Sequence, residues 1–150
     1  MYVLLFNLTN AAMIGWALMI FLPRAQITTW IARTAVFPVY LAALYVIGVV
    51  PLLVASGPGI MREFASADGV VRLLAGADAA LIVWLHLLVF DHLVGILIYR
   101  DNMRIHAMSL PVQSLVLFLT LMFGPAGFLV YYVIRVVRKH GPAIGEARVH

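Results

Sequence analysis

The sequence predicts an all-α polytopic membrane protein: four transmembrane helices with a short interfacial helix between the second and the third. Three observations carry this. The chain is 65% hydrophobic and only 11% charged, against about 25% charged residues in a soluble domain. It contains four apolar runs of the length needed to cross a hydrocarbon core of about 30 Å. Its basic residues stand singly or in small groups at the ends of those runs, as headgroup anchors do.

The first run, roughly 2–22, stops at Leu22-Pro23-Arg24. No basic stretch precedes it and no small-x-small site follows, so it reads as a retained span rather than a cleaved signal. The second, 36–55, ends at Ser56-Gly57-Pro58-Gly59, a breaker cluster. The 56–78 linker holds Ser66-Ala-Asp-Gly followed by Val70-Val-Arg-Leu-Leu74. That pattern predicts a short amphipathic helix on the membrane surface, capped by Ser66 or Asp68. The third run, 79–99, closes on Tyr99-Arg100-Asp101, an interfacial edge. The fourth, 112–134, opens after Pro111 and leaves through Arg135-Val-Val-Arg-Lys139. One domain over 1–139 and a polar tail over 140–150 follow, with no internal repeat.

Alternating spans put Arg62, Arg72, Arg135, Arg138, Lys139 and Arg148 on one face, against Arg24, Arg33, Arg100 and Arg104 on the other. The positive-inside rule then places both termini in the cytoplasm, the inner membrane of a bacterium being the expected location.

Within the third span lie His86, Asp91 and His92. Ionisable groups at that depth are costly unless paired, hydrated or neutralised, so they mark a functional site by default. Arg100 cannot pair with Asp91 on the same helix, since nine residues are about 13 Å of rise. Asp91 must therefore be protonated, hydrated or bonded to another helix. The alternative to a functional role is a protonated carboxyl tying two helices together, and either imidazole can do the same. Trp84, Asp91 and Gly95 fall near one stripe, and Gly95 admits a close neighbouring helix.

Aligning the spans by their ends puts Asp91 level with Met13, Tyr45 and Thr120, and His86 level with Leu8, Val49 and Pro125, to within a turn. Asn7, Thr9 and Asn10 lie near the His86 level. Gly124-Pro125-Ala-Gly127 breaks the fourth helix there, and Pro125 leaves the Leu121 carbonyl without its usual partner. A polar pocket bounded by spans one, three and four follows, because irregular backbone at membrane depth must face protein or a wet cavity. Packing is the competing reading for Asn7, Asn10 and Trp84, and a simple kink for Gly124-Pro125.

No metal site is expected. His86 and His92 are six apart and do not share a helix face, and the chain has five histidines and no cysteine. The sequence calls for no cofactor. Nucleic acid is excluded as a partner, since the net charge of +4 is spread over span ends. Membrane lipid is the expected environment; a protein partner or a second copy of the chain is compatible with so small a domain.

The run Trp84-Leu-His86-Leu-Leu-Val-Phe90-Asp91-His-Leu-Val-Gly95, then Arg100-Asp101 and Phe123-Gly124-Pro125-Ala-Gly127, resembles the abscisic-acid-deficient-four-like membrane proteins. The likeness extends to the Asn7/Asn10 helix, Leu22-Pro23-Arg24 and Val71-Arg72-Leu-Leu, most of the chain. It implies a four-helix membrane protein related to the plant proteins of neoxanthin synthesis, which turn a carotenoid epoxide into an allene. The residues that follow the family pattern are Trp84, His86, Asp91, Gly95, Asp101, Gly124 and Pro125. On that basis a carotenoid or similar polyene is the expected ligand. Asp91 would act as acid or base, with His86 or His92 as counterpart. Asn10 would orient the substrate oxygen, while Asn7, Trp84, Gly95, Tyr45, Thr120, Gly124 and Pro125 line the site. The other reading is non-enzymatic: an accessory, pigment-binding or lipid-binding subunit of a larger membrane complex.

Overall fold

The computed structural model describes residues 2–138, and their regular structure is entirely helical. The 140–150 tail, with His140 and His150, lies outside the described residues, as does Lys139. In chain order the helices are α1 (Tyr2–Thr9), α2 (Ala12–Phe21), α3 (Gln26–Thr34), α4 (Val36–Ser56), a 3-10 turn (Gly57–Gly59), α5 (Ile60–Glu63), α6 (Ala67–Ala75), α7 (Ala77–Ile105) and α8 (Leu110–Val137). Four stretches are long and apolar enough to cross a membrane: Val3–Phe21, Val36–Glu63, Ala77–Ile105 and Leu110–Val137.

Contacts divide the chain into two compact units. Among the described residues, the first comprises 2–11 and 39–89, the second 12–38 and 90–138.

The first unit holds α1, most of α4, α5, α6 and the start of α7. Its apolar contacts bring Gly48 of α4 against Leu5 of α1 and Ile82 of α7. Tyr40 donates a hydrogen bond to the Leu8 carbonyl at 3.0 Å. α4 stops where the breaker cluster was expected, and Gly57 takes a positive φ of 62°, a conformation that favours glycine. In α6 the Gly69 amide donates to the Ser66 hydroxyl at 3.1 Å, so Ser66 is the cap. Arg72 pairs with Glu63 at 3.0 Å on the exposed side. The first apolar run is interrupted. α1 ends at Thr9, whose hydroxyl donates to the Phe6 carbonyl at 2.6 Å, and tight turns at Asn10 and Ala11 precede α2.

The second unit contains a buried hydrophobic core built on Trp16, Met19, Ile98, Tyr99, Leu117 and Tyr131. Its α3 was not foreseen. The helix folds back on α2 because Thr28, fully buried, donates to the Leu22 carbonyl at 2.7 Å and ties off the end of α2. The Tyr99 hydroxyl donates to the Pro23 carbonyl at 2.6 Å, fixing the same turn to α7. The interfacial edge expected at Tyr99-Arg100-Asp101 is not an end: α7 runs on to Ile105, and Asp101 is only 3% exposed.

α8 is not straight. Phe123 has non-helical torsions (φ −141°, ψ 50°), and a Cβ placed on Gly127 would strike the backbone of Thr120. Neighbouring residues of α7 meet both parts of α8. Asn102 donates to Gln113 at 2.7 Å, while Asp101 accepts from Tyr131 at 2.6 Å. On a straight helix, positions 113 and 131 would be about 27 Å apart. The kink expected at Gly124-Pro125 is therefore a reversal. Two arms, 110–122 and 124–137, lie antiparallel and bring Ser109 and Leu110 back beside Arg138. Glycine at 127 lets the arms touch, as small residues do at close helix contacts.

Candidate functional site

The reversal positions the carboxyl of Asp91. Gly124, at the tip of the hairpin, is buried against it: a Cβ on Gly124 would strike Asp91 Oδ1. The sequence alignment of depths put Asp91 beside Thr120. The structure places it one turn further along, at the glycine itself. Thr120 is fully buried and spends its hydroxyl on the Val116 carbonyl of its own helix, at 2.8 Å.

The tip has unusual backbone chemistry. Pro125 supplies no amide hydrogen, and the break at Phe123 ends one arm and begins another. The start of the second arm presents amides that have no acceptor within the helix, and the dipole there favours a negative group. Asp91 lies beside that start. Among the described residues, no ion pair or hydrogen bond engages its carboxyl. It is half-buried, and its chain neighbour Phe90 and the tip residue Phe123 are 53% and 64% exposed.

His92 follows Asp91 but points elsewhere. The imidazole is fully buried, 5.1 Å from the Trp16 ring and 5.6 Å from the Phe37 ring, measured between centroids. Gly15 makes room for it. Neither ring nitrogen has a hydrogen-bond partner, an arrangement that costs stability in any core. Gly95, one turn further on α7, is the seat of the Trp16 indole. His92 and Gly95 thus share Trp16 as a neighbour, with Phe37 beside His92, contacts that no spacing rule announced, while Asp91 faces Gly124.

The first unit holds the remaining candidates. His86 is exposed, and its ring stands 5.4 Å from that of Tyr45. Trp84 is half exposed and borders a small apolar recess with Leu5, Phe6 and Thr9. Asn7 and Asn10 are exposed beside the break of the first span, and Pro125 in the second unit is exposed as well. Among the described residues no three histidines or carboxylates converge as metal ligands would.

A second polar centre, which the sequence reading missed, closes the base of the hairpin. Asp101 Oδ2 accepts from the Tyr131 hydroxyl and from Arg135 Nε, both at 2.6 Å, and Oδ1 accepts from Arg104 at 2.8 Å. Arg135 is itself only 2% exposed. Next to this centre, Asn102 clamps the α7–α8 turn. It donates to the Met108 carbonyl at 3.1 Å and accepts from the Met108 amide at 2.8 Å. The available signal was the i, i+4 spacing of Tyr131 and Arg135, which sets both on one face. The centre also removes the basis of the sequence's charge count: Arg104 and Arg135, assigned there to opposite faces, share one carboxylate.

The sequence profile of the family described as ABA DEFICIENT 4-like matches residues 4–131. No curated protein and no solved structure matches the chain. The matched segment holds the broken first span, both polar centres up to Tyr131 and the hairpin tip. The chain belongs to the ABA DEFICIENT 4-like family.

Proposed function

We propose that this integral membrane protein isomerises an epoxide-bearing carotenoid or related polyene, with Asp91 as the group that moves the proton. The observation that carries the reading is the Asp91 carboxyl held against Gly124 at a break in membrane-depth backbone. Irregular backbone and a carboxyl together are expensive in a hydrocarbon layer. Exposed Phe90 and Phe123 give an apolar approach from the lipid side, so a polyene needs no aqueous route.

The chemistry is balanced and uses no external reagent. A base removes a proton from the carbon next to the epoxide, the new double bond forms, and the carbon–oxygen bond breaks. The released oxygen then takes a proton. Every proton removed is returned, so a carboxyl can take it at one oxygen and deliver it again, or share the work with an imidazole. His92, sealed between Trp16 and Phe37, acts as support for Asp91. His86, exposed beside Tyr45, is a candidate of the first unit by itself, with Asn7, Asn10 and Trp84.

In the same reading, α6 lies at the membrane surface, with Val71 and Leu74 exposed towards the lipid. The hairpin gathers Arg24, Arg100, Arg104, Arg135 and Arg138 at one end of the second unit, and the positive-inside rule assigns that end to the cytoplasm, in place of the two-face count made from the sequence.

The test is conversion of a carotenoid epoxide by protein purified in mild detergent and returned to liposomes, followed by chromatography and absorption. Wild type should yield the isomer, and Asp91→Asn should not, with unchanged helical content. Full conversion by Asp91→Asn removes Asp91 from the chemistry. Pigment retained by wild type without conversion makes the protein a pigment-binding subunit.

A further inference from the structure

The hairpin base creates a feature that the Asp91 site does not use. Because the second arm of α8 returns to the end where the first began, Arg138 stands at one cavity with Arg24, His106 and the buried Asn102. This cavity has a volume of about 310 Å³, and among the described residues no Asp or Glu lines it. Ser109 stands at the N-cap of α8 in extended conformation without a side-chain bond to the first turn, so the amide of Leu110, which lines the cavity, has no cap acceptor. His106 holds a positive φ of 53°, a strained setting for an L-residue that local structure must enforce.

A second, open groove of about 420 Å³ has lining residues in common with the first. Phe21, Leu22 and Pro111 give it an apolar wall, and it shares Arg24 and Leu110 with the basic cavity. An apolar groove that runs into a cationic chamber at the end of membrane helices has the polarity of one kind of ligand: a hydrocarbon chain with an anionic head.

We propose that the joined cavities hold one anionic phospholipid, its phosphate at Arg24, His106 and Arg138 and an acyl chain along Phe21, Leu22 and Pro111. Arginine suits this task because its planar fork meets phosphate oxygens in pairs. The headgroup also accepts from the Leu110 amide at the start of α8, since Pro111 has none to donate. The lipid bridges the α2–α3 turn, the α7–α8 turn and the end of the second arm, and so clamps the base of the hairpin. Nothing in this assignment depends on the reaction at Asp91.

The test uses the full-length protein in nanodiscs or mild detergent, with phosphatidylglycerol, phosphatidylcholine and inorganic phosphate as separate probes and native mass spectrometry as the readout. Wild type should retain one phosphatidylglycerol at least tenfold more than phosphatidylcholine. Arg24→Gln with Arg138→Gln, both exposed positions, should lose that preference while circular dichroism stays that of wild type. Leu110→Trp, which fills the junction of the two cavities, should lower retention with both arginines intact. Equal retention of the two lipids, or preference unchanged in the arginine pair, overturns the proposal. Millimolar inorganic phosphate that displaces the lipid completely, with retention unaffected by Leu110→Trp, identifies a free-phosphate site and overturns the lipid assignment.

Discussion

Thr120 and Gly127 are seven positions apart in α8, yet a single methyl on Gly127 would collide with the Thr120 backbone. On a continuous helix those residues would be about 10 Å apart along the axis. The contact exists because the chain reverses at Phe123. From that reversal follow the seat of Asp91, the shared carboxylate of Arg104 and Arg135, and the cavity at the hairpin base.

The reversal is directly measurable. The chain has no cysteine, so Ser109→Cys with Arg138→Cys can carry two spin labels without background. An uninterrupted helix would separate the two positions by about 43 Å. Pulsed electron resonance should give a short distance instead, and one near the straight-helix value would refute the hairpin.

Glycine substitutions separate the two ends of the site. Gly127→Val should push the arms apart and destabilise the fold by roughly 1–3 kcal/mol, the usual cost of overpacking. Gly124→Ala should displace the Asp91 carboxyl. Polyene conversion should then fall at least tenfold while the thermal midpoint moves less than in Gly127→Val. Equal conversion in wild type and Gly124→Ala would show that the carboxyl's seat is immaterial.

The Asp101 centre should behave as a buried ion network. Asp101→Ala leaves Arg135 buried without its anion and should cost about 3–5 kcal/mol. Adding Arg135→Met removes the stranded charge and should recover much of that loss. A double-mutant cycle on thermal unfolding in detergent reads the coupling; simple additivity of the two changes would argue against a shared network.

His92 offers the opposite expectation. Its two nitrogens are buried without partners, which costs about 1–3 kcal/mol in a core. His92→Phe keeps a ring between Trp16 and Phe37, so it should leave the thermal midpoint unchanged or raise it. If His92 only supports Asp91, conversion should survive in this variant; abolished conversion with intact stability would make the imidazole a participant.

Much of this was readable from residues in order. The apolar runs announced the helices, because hydrocarbon thickness fixes their length and composition. The sequence narrowed the cap of α6 to Ser66 or Asp68, and Ser56-Gly57-Pro58-Gly59 announced the end of α4, because both effects act within one turn of chain. Asp91 stood out because a carboxyl in an apolar run has to be accounted for locally. Gly124-Pro125 was recognised as a break for the same reason.

What one-dimensional reading missed was direction and partnership. A break at Phe123 is legible, but whether the helix bends or turns back depends on what receives the second arm. Here Asp101 receives it, by taking Tyr131 and Arg135, while Asn102 takes Gln113 from the first arm. Those pairs span 11 to 34 positions, and no local rule links them. The enclosure of His92 by Trp16 and Phe37 is of the same kind. The sequence by itself determined that the chain is helical, suited to a membrane, broken at Gly124-Pro125, and burdened with an intramembrane carboxyl; the interruption of the first span at Asn10 appeared only in the structure. Tertiary structure alone decided which way α8 leaves its break and which residues share Asp101, because close packing and ion pairing join atoms that the chain order keeps apart.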